Sequence, residues 1–233
     1  MKLLPRELLI KTSAVDRADW NYGSVLAGLQ RRRFELLLSM MAGRKAGRLL
    51  ELGYGSGILL PELADRCDEL FGADPHDRHG EVRALLAEHD IHAMLVSASA
   101  ERLPFDDAFF DTVVAVSAIE YVEDIDAACR ELCRVLVPNG NLYVVTPGYS
   151  PLLDLMLRLV TGESANENYG RRRERLLPAL ALHFRTLEIK LYPPLFGRLL
   201  PVYRALRLTP LSSRNPGARE RARSGSSSTM RYR

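Results

Sequence analysis

"LLELGYGSG", residues 49–57, sets three glycines on alternate positions at the end of an apolar run, with Glu51 two residues ahead of the first. Glycine at such a point does two things: it removes the side chain that would block close approach to the backbone, and it permits positive φ. The stretch Arg48 to Leu52 reads as a short strand and Ile58 to Cys67 as the helix that follows. A strand, a glycine turn and a helix in that order open an α/β unit, and the rest of the chain repeats the alternation.

"ELFGAD" (69–74) reads as a second buried strand, His79 to His89 as a helix and "HAMLVS" (92–97) as a third strand. "FFDTVVAVS" (109–117) is a continuous β-branched run, the pattern of a strand covered on both faces. In the helix that follows, Ile125 to Val137, residues Ile125, Ala128, Cys129, Leu132 and Leu136 keep a 3.6-residue period, and "PNG" (138–140) is read as its stop. "NLYVVT" (141–146) is the fifth strand. Ahead of the turn, Tyr22 to Met41 reads as an amphipathic helix, with Val25, Leu26, Leu29, Leu37, Met40 and Met41 on its apolar stripe and Arg31, Arg32 and Arg33 outside it. Beyond 148, Pro151 to Val160 and Arg171 to His183 read as helices, "RTLEIKLY" (185–192) as a sixth strand and "VYRALRL" (202–208) as a seventh. This order predicts an α/β fold: a doubly wound, mostly parallel seven-stranded sheet with helices on both faces. The expected divisions are an N-terminal helical cap (1–43), a ligand-binding core (44–148), lid helices with sheet-edge strands (149–211) and a disordered basic tail (212–233).

The 233 residues carry a formal charge of +3, too little to imply a nucleic-acid partner by itself. No stretch approaches the roughly 20 apolar residues of a membrane span. "MKLLPRELLI" holds Pro5, Arg6 and Glu7 and is not read as a secretory signal, so the cytoplasm is the expected compartment. Cys67, Cys129 and Cys133 form no CxxC or Cys/His cluster; they are read as packing residues, with no metal site. Asp106, Asp107 and Asp111 are read as turn and strand-edge residues.

The glycines narrow the ligand. A dinucleotide fingerprint, G-x-G-x-x-G, needs its third glycine one residue later than Gly57, and no Gly-Lys-Ser/Thr follows to make a P-loop. Asp74 ends the second strand about 20 residues beyond the turn, where a carboxylate can accept both hydroxyls of a ribose diol.

Further on, "SASAERLPFDDAFFDTVVAVSAIEYVEDIDAACRELCRVLVPNGNLYVVTPG" (97–148), together with "LLELGYGSG" and "FGADPH" (71–76), resembles the class I S-adenosylmethionine-dependent methyltransferases that act on small molecules. The resemblance spans about Arg48 to Gly148 and implies the Rossmann-like fold and S-adenosyl-L-methionine as cofactor. It also implies roles. Gly53, Gly55 and Gly57 form a backbone cradle at the amino-acid end of the cofactor, with Glu51 beneath, fixing the turn or meeting the ammonium. Asp74 holds the ribose, and Pro75 or His76 lies near the adenine. Ser99 stands where relatives carry an aspartate for the adenine amino group, Ala100 offers a backbone amide, and Ser117 lies below the methionine portion. Tyr22 covers the cofactor carboxylate or simply packs.

Methyl transfer needs chiefly alignment, so a base is optional. Glu120 and Tyr121, in "SAIEYVED" (117–124), are the candidate catalytic residues, with Tyr121 expected to orient rather than to take a proton. The acceptor is read as a small molecule, either soluble or amphipathic and lipid-linked. For the apolar, proline-punctuated "LYPPLFGRLLPVYRALRL" (191–208), a homodimer contact is favoured over a membrane surface. Three other readings compete: a silent methyltransferase-like binding protein, an RNA methyltransferase suggested by the arginine runs, and an NAD oxidoreductase.

Overall fold

The computed structural model describes residues 1–13, 16, 18–23, 27–148, 172–194 and 201–211. Seven strands form one sheet: β1 (Ala46–Leu52), β2 (Cys67–Asp74), β3 (Met94–Ser97), β4 (Phe110–Val116), β5 (Leu136–Pro147), β6 (Phe184–Tyr192) and β7 (Tyr203–Pro210). Their order across the sheet is β3, β2, β1, β4, β5, β7, β6, and only β7 runs against the rest. The doubly wound, seven-stranded α/β sheet expected from the alternation is what forms.

Period-two alternation sends successive residues of each central strand into different layers. Leu49, Val114, Tyr143 and Val145 pack with α1 (Ala27–Met41), α2 (Leu60–Ala64) and α3 (His79–Glu88). Leu50, Val113, Leu142 and Val144 pack with α4 (Ile125–Val135) and α5 (Arg172–His183). Helices therefore cover both faces, which is why the β4 run carries no polar alternation.

Several boundaries differ from the expected ones for local reasons. α1 begins at Ala27 among the described residues, and Tyr22 lies before it, after a 3-10 turn at Ala18–Asn21. α2 is one short helix, because Arg66 already turns back to the Leu63 carbonyl and Cys67 starts β2. The "PNG" stretch does not close α4. The chain is already extended at Leu136, which pairs with Phe110, and residues between there and Asn141 bulge out before pairing resumes with Thr112, Asn139 taking φ 66°. The expected helix at Pro151 to Val160 and the basic tail lie outside the described residues.

The segment 103–107 is locked to α4 by two side chains. Arg134 donates to the carbonyls of Leu103 and Phe105 and to Asp107, while Glu131 accepts the Leu103 amide at 2.8 Å. Behind it Phe71, Phe105, Phe109 and Phe110 meet mostly edge to face, with centroids 4.8–5.9 Å apart. Asp111 accepts the Arg48 amide at 2.7 Å, so Asp107 and Asp111 are bracing residues as expected. The three cysteines are free, and burial pushes the Cys67 thiol up to about 11 and that of Cys129 to about 12. Cys67 and Cys129 are buried and Cys133 is half-buried, and a thiol raised by burial in apolar surroundings is a poor nucleophile.

Candidate functional site

Strand order reverses between β1 and β4, and in open α/β sheets ligands bind in the crevice outside the strand ends at such a point. Two bends flank it here. The first is the glycine turn after β1, where Gly53, Gly55 and Gly57 have φ of 74°, 52° and 76°. The second follows β4, where Ser117 itself takes φ 52°. The bends touch: a Cβ on Gly53 would run into the Cβ of Ala118.

The turn is clasped from β2. One Asp74 oxygen accepts the Gly55 amide at 3.0 Å and the other accepts the His76 amide at 3.3 Å. His76 is buried, and its Nδ1 accepts the Arg78 amide at 3.1 Å, which leaves Nε2–H to donate to the Gly55 carbonyl at 3.0 Å. Its ring also meets Tyr54 edge on, with centroids 5.0 Å apart. His76 thus braces the turn, and Pro75 is exposed beside it.

Around this turn several buried polar atoms have no hydrogen-bond partner: Glu51 Oε2, the Tyr54 hydroxyl, and the hydroxyls of Ser56 and Ser117. Native interiors leave few such groups, so a cluster of them needs an account. A polar ligand seated on the turn supplies one, and the residues present therefore fit a cofactor with an amino-acid end and a sugar. Glu51 is fully enclosed; burial first, then the Asp74 charge, pushes its carboxyl up to about 8 against an opposing pull from Arg33. Burial likewise raises the Tyr54 hydroxyl above its ordinary range.

This sets a pH dependence. The folded protein holds the Glu51 proton far above the ordinary value of 4.5. Its contribution to stability is fully present below that value, declines as the unfolded chain ionises, and is lost as pH rises through about 8. Glu51→Gln removes the titration. The thermal midpoint of the wild type, measured against this variant from pH 5 to pH 9, is expected to fall steadily relative to it; parallel curves contradict the assignment.

The other expected residues divide. Ala98 donates to the Asp74 carbonyl at 3.0 Å, which brings the Ser99–Ala100 segment beside the end of β2. Ser99 is exposed, but its hydroxyl donates to Glu101 and accepts the Glu101 amide at 3.2 Å, so it is already engaged rather than waiting for an adenine. Glu120 is buried and Tyr121 half-buried in the 3-10 turn Ile119–Tyr121, next along the chain from Ala118. Tyr22 is turned elsewhere: its hydroxyl donates to the Leu4 carbonyl and its ring lies under Arg31, at 5.3 Å.

That Tyr22 bond belongs to a feature the sequence reading missed. The first residues form a strap across the site, tied by Leu4 N to the Ile58 carbonyl at 3.0 Å and by Arg78 to the Lys11 carbonyl at 2.8 Å. Asp16, held by Thr12 and Ala18, sets its carboxyl 3.7 Å from where a Gly55 Cβ would sit. The only signal in the sequence was the cluster of side-chain acceptors Thr12, Ser13 and Asp16. Among the described residues, no cluster of His, Cys, Asp or Glu could hold a metal ion, and no helix is long and apolar enough to cross a membrane.

Known proteins resemble this chain in sequence and in fold. Residues 50–144 match the model of the family described as "Methyltransferase domain". The ubiquinone/menaquinone biosynthesis C-methyltransferase UbiE of Chromobacterium violaceum is 31% identical over 168 residues, covering 65% of this chain and 69% of the relative. The biotin biosynthesis bifunctional protein BioHC of Cellvibrio japonicus is 32% identical over 140 residues, 60% of this chain, but the chain spans only 27% of that protein's length. In fold, the N-methyltransferase NodS from Bradyrhizobium japonicum, solved with S-adenosyl-L-homocysteine, matches with a TM-score of 0.60 at 16% identity, over 84% of this chain and 93% of NodS. A seven-stranded sheet with its glycine turn at the switch point defines the class I methyltransferase fold. The chain belongs to the S-adenosylmethionine-dependent methyltransferases of that class.

Proposed function

We propose that this protein transfers the methyl group of S-adenosylmethionine to a small-molecule acceptor. The observation that carries the reading is the positive-φ glycine turn, clasped by Asp74 and ringed by unpartnered buried polar atoms. The sulfonium of the cofactor supplies an electrophilic methyl carbon, so the protein contributes alignment and dryness rather than strong acid–base chemistry.

Each residue then has a task. Gly53, Gly55 and Gly57 let the backbone come close to the amino-acid end, and Glu51 and Ser117 receive its polar atoms. Asp74 takes the ribose hydroxyls while keeping the Gly55 amide in place. Pro75 and the Ser99–Ala100 segment border the adenine, where recognition rests on backbone groups because Ser99 is committed to Glu101. Glu120 and Tyr121 line the acceptor side. An enolate or carboxylate acceptor needs no base there, and a tyrosine hydroxyl is suited to orienting an acceptor by hydrogen bonding. The C-methyltransferase named among the relatives supports a carbon nucleophile, and its quinone-pathway name supports an apolar acceptor.

The test is transfer of label from methyl-labelled S-adenosylmethionine into a metabolite and lipid extract. The expected result is label in the small-molecule fraction, lost in Asp74→Ala. Label in RNA alone, or none despite cofactor uptake, overturns the reading in favour of an RNA methyltransferase or of a silent binding protein.

A further inference from the structure

Strand β6 ends the sheet, and among the described residues no strand pairs with its outer side. An open edge offers unpaired backbone groups to any second strand, and proteins commonly blunt it with a lysine or a bulge. Both occur here, but neither guards residues 188–192. The bulge falls between Thr186 and Glu188, ahead of that stretch. The Lys190 ammonium is drawn back onto α1, donating to the Ser39 carbonyl at 3.1 Å and to the Ser39 hydroxyl at 3.0 Å. The edge is also apolar. Of the six exposed large apolar side chains among the described residues, Leu187 and Ile189 lie on β6 itself; Leu182 lies in the last turn of α5, which leads into β6, and Leu211 follows β7.

Period-two alternation fixes which residues can meet. Glu188, Lys190 and Tyr192 share a side of the sheet with Ala205, in the layer under α1, while Ile189 shares the other side with Leu206. A second copy added antiparallel by a two-fold axis keeps each side of the sheet facing its like, so the axis must pass through a residue. On Glu188 it sets two carboxylates directly opposite, and on Lys190 two ammoniums; like charges so placed destabilise the pair. On Leu191 it brings Pro193, which has no N–H, into the ladder. On Ile189 it sets that side chain against its own copy and, on the α1 side, each Glu188 against the other copy's Lys190. Two of the three Lys190 donors are used by Ser39, which leaves one for that carboxylate. A groove of about 560 Å³ between α1 and β6, lined from the helix by Arg32, Glu35, Leu36 and Ser39, receives these side chains.

We propose that β6 pairs antiparallel with β6 of a second copy of this chain, about a two-fold axis at Ile189, so that one sheet runs through both copies. The residues 188–190 are complementary to themselves in this register, in charge and in apolar contact. The bends after β1 and β4 lie across the sheet from this edge and stay open in both copies.

Sedimentation of the full chain tests the contact. The wild type is expected to be a dimer at micromolar concentration. Ile189→Arg, at a side chain 56% exposed and so harmless to folding, is expected to leave only monomer. Glu188→Lys should weaken the dimer by setting like charges opposite at two points, and adding Lys190→Glu should recover part of it. Directly opposite residues lie within disulfide reach, so Ile189→Cys is expected to cross-link the copies on oxidation. Leu182→Cys, exposed but away from the axis, is not. A wild type that stays monomeric up to millimolar concentration, a dimer that survives Ile189→Arg, or cross-linking through Leu182→Cys as fast as through Ile189→Cys overturns the assignment.

Discussion

Gly53→Ala is expected to lower stability by about 2–5 kcal/mol and to abolish cofactor uptake. Two costs add. Gly53 has φ 74°, a left-handed conformation that charges a side-chain-bearing residue about 1–2 kcal/mol. The added methyl also collides with the Ala118 Cβ on the opposing bend, and overpacking of that kind costs about 1–3 kcal/mol. The bends after β1 and β4 would have to part, which opens the crevice at the switch point. Gly55→Ala is the informative contrast. Its φ is 52°, but the nearest atoms to a new Cβ are those of the Asp16 carboxyl at 3.7 Å, an ordinary contact. It should lose only about 1–2 kcal/mol of stability, the conformational part, while still placing a methyl where the ligand must approach. Urea titration of both variants checks the difference. Equal destabilisation would contradict the contact between the two bends.

Asp74→Ala should weaken binding of S-adenosylhomocysteine by about 1–3 kcal/mol, which is about 5- to 150-fold. The carboxylate holds the turn through the Gly55 and His76 amides and, on the proposed reading, accepts the ribose hydroxyls. Asp74→Asn keeps one oxygen for the Gly55 amide and loses the second acceptor, so it should fall between the wild type and alanine. Removing the Asp74 charge also relieves one of the two causes that hold Glu51 protonated, so the Glu51 titration in this variant should move downward. Calorimetry gives the affinity, and the pH dependence of the thermal midpoint gives the second effect. Unchanged affinity in Asp74→Ala would place the sugar elsewhere.

The central sheet was legible because its signals are local and strong. β4 carries the apolar run Val113, Val114, Ala115 and Val116, and the apolar period of α4 matches its buried residues Ile125, Ala128, Cys129 and Leu132. The turn and Asp74 were legible because glycines and a carboxylate at fixed offsets leave few alternatives. What the sequence concealed depends on contacts between distant segments. Beyond the acceptors Thr12, Ser13 and Asp16, nothing in residues 1–16 announces that Leu4 will bond to Ile58, or that Asp16 will stand near Gly55. The three arginines of α1 looked alike on the helix surface, and only packing distinguishes Arg33, whose guanidinium rests on Phe34. That His76 would brace the turn was hidden too, because its two ring nitrogens find backbone partners, Gly55 and Arg78, on either side. "PNG" misled because its turn chemistry serves a bulge inside β5, not a helix end.

The most direct test is titration of the full chain with S-adenosylhomocysteine and, separately, with NAD. One site of micromolar affinity for the first, and no heat with the second, is the expected result. A chain that takes up NAD, or that gives no heat with S-adenosylhomocysteine at millimolar concentration, contradicts the account.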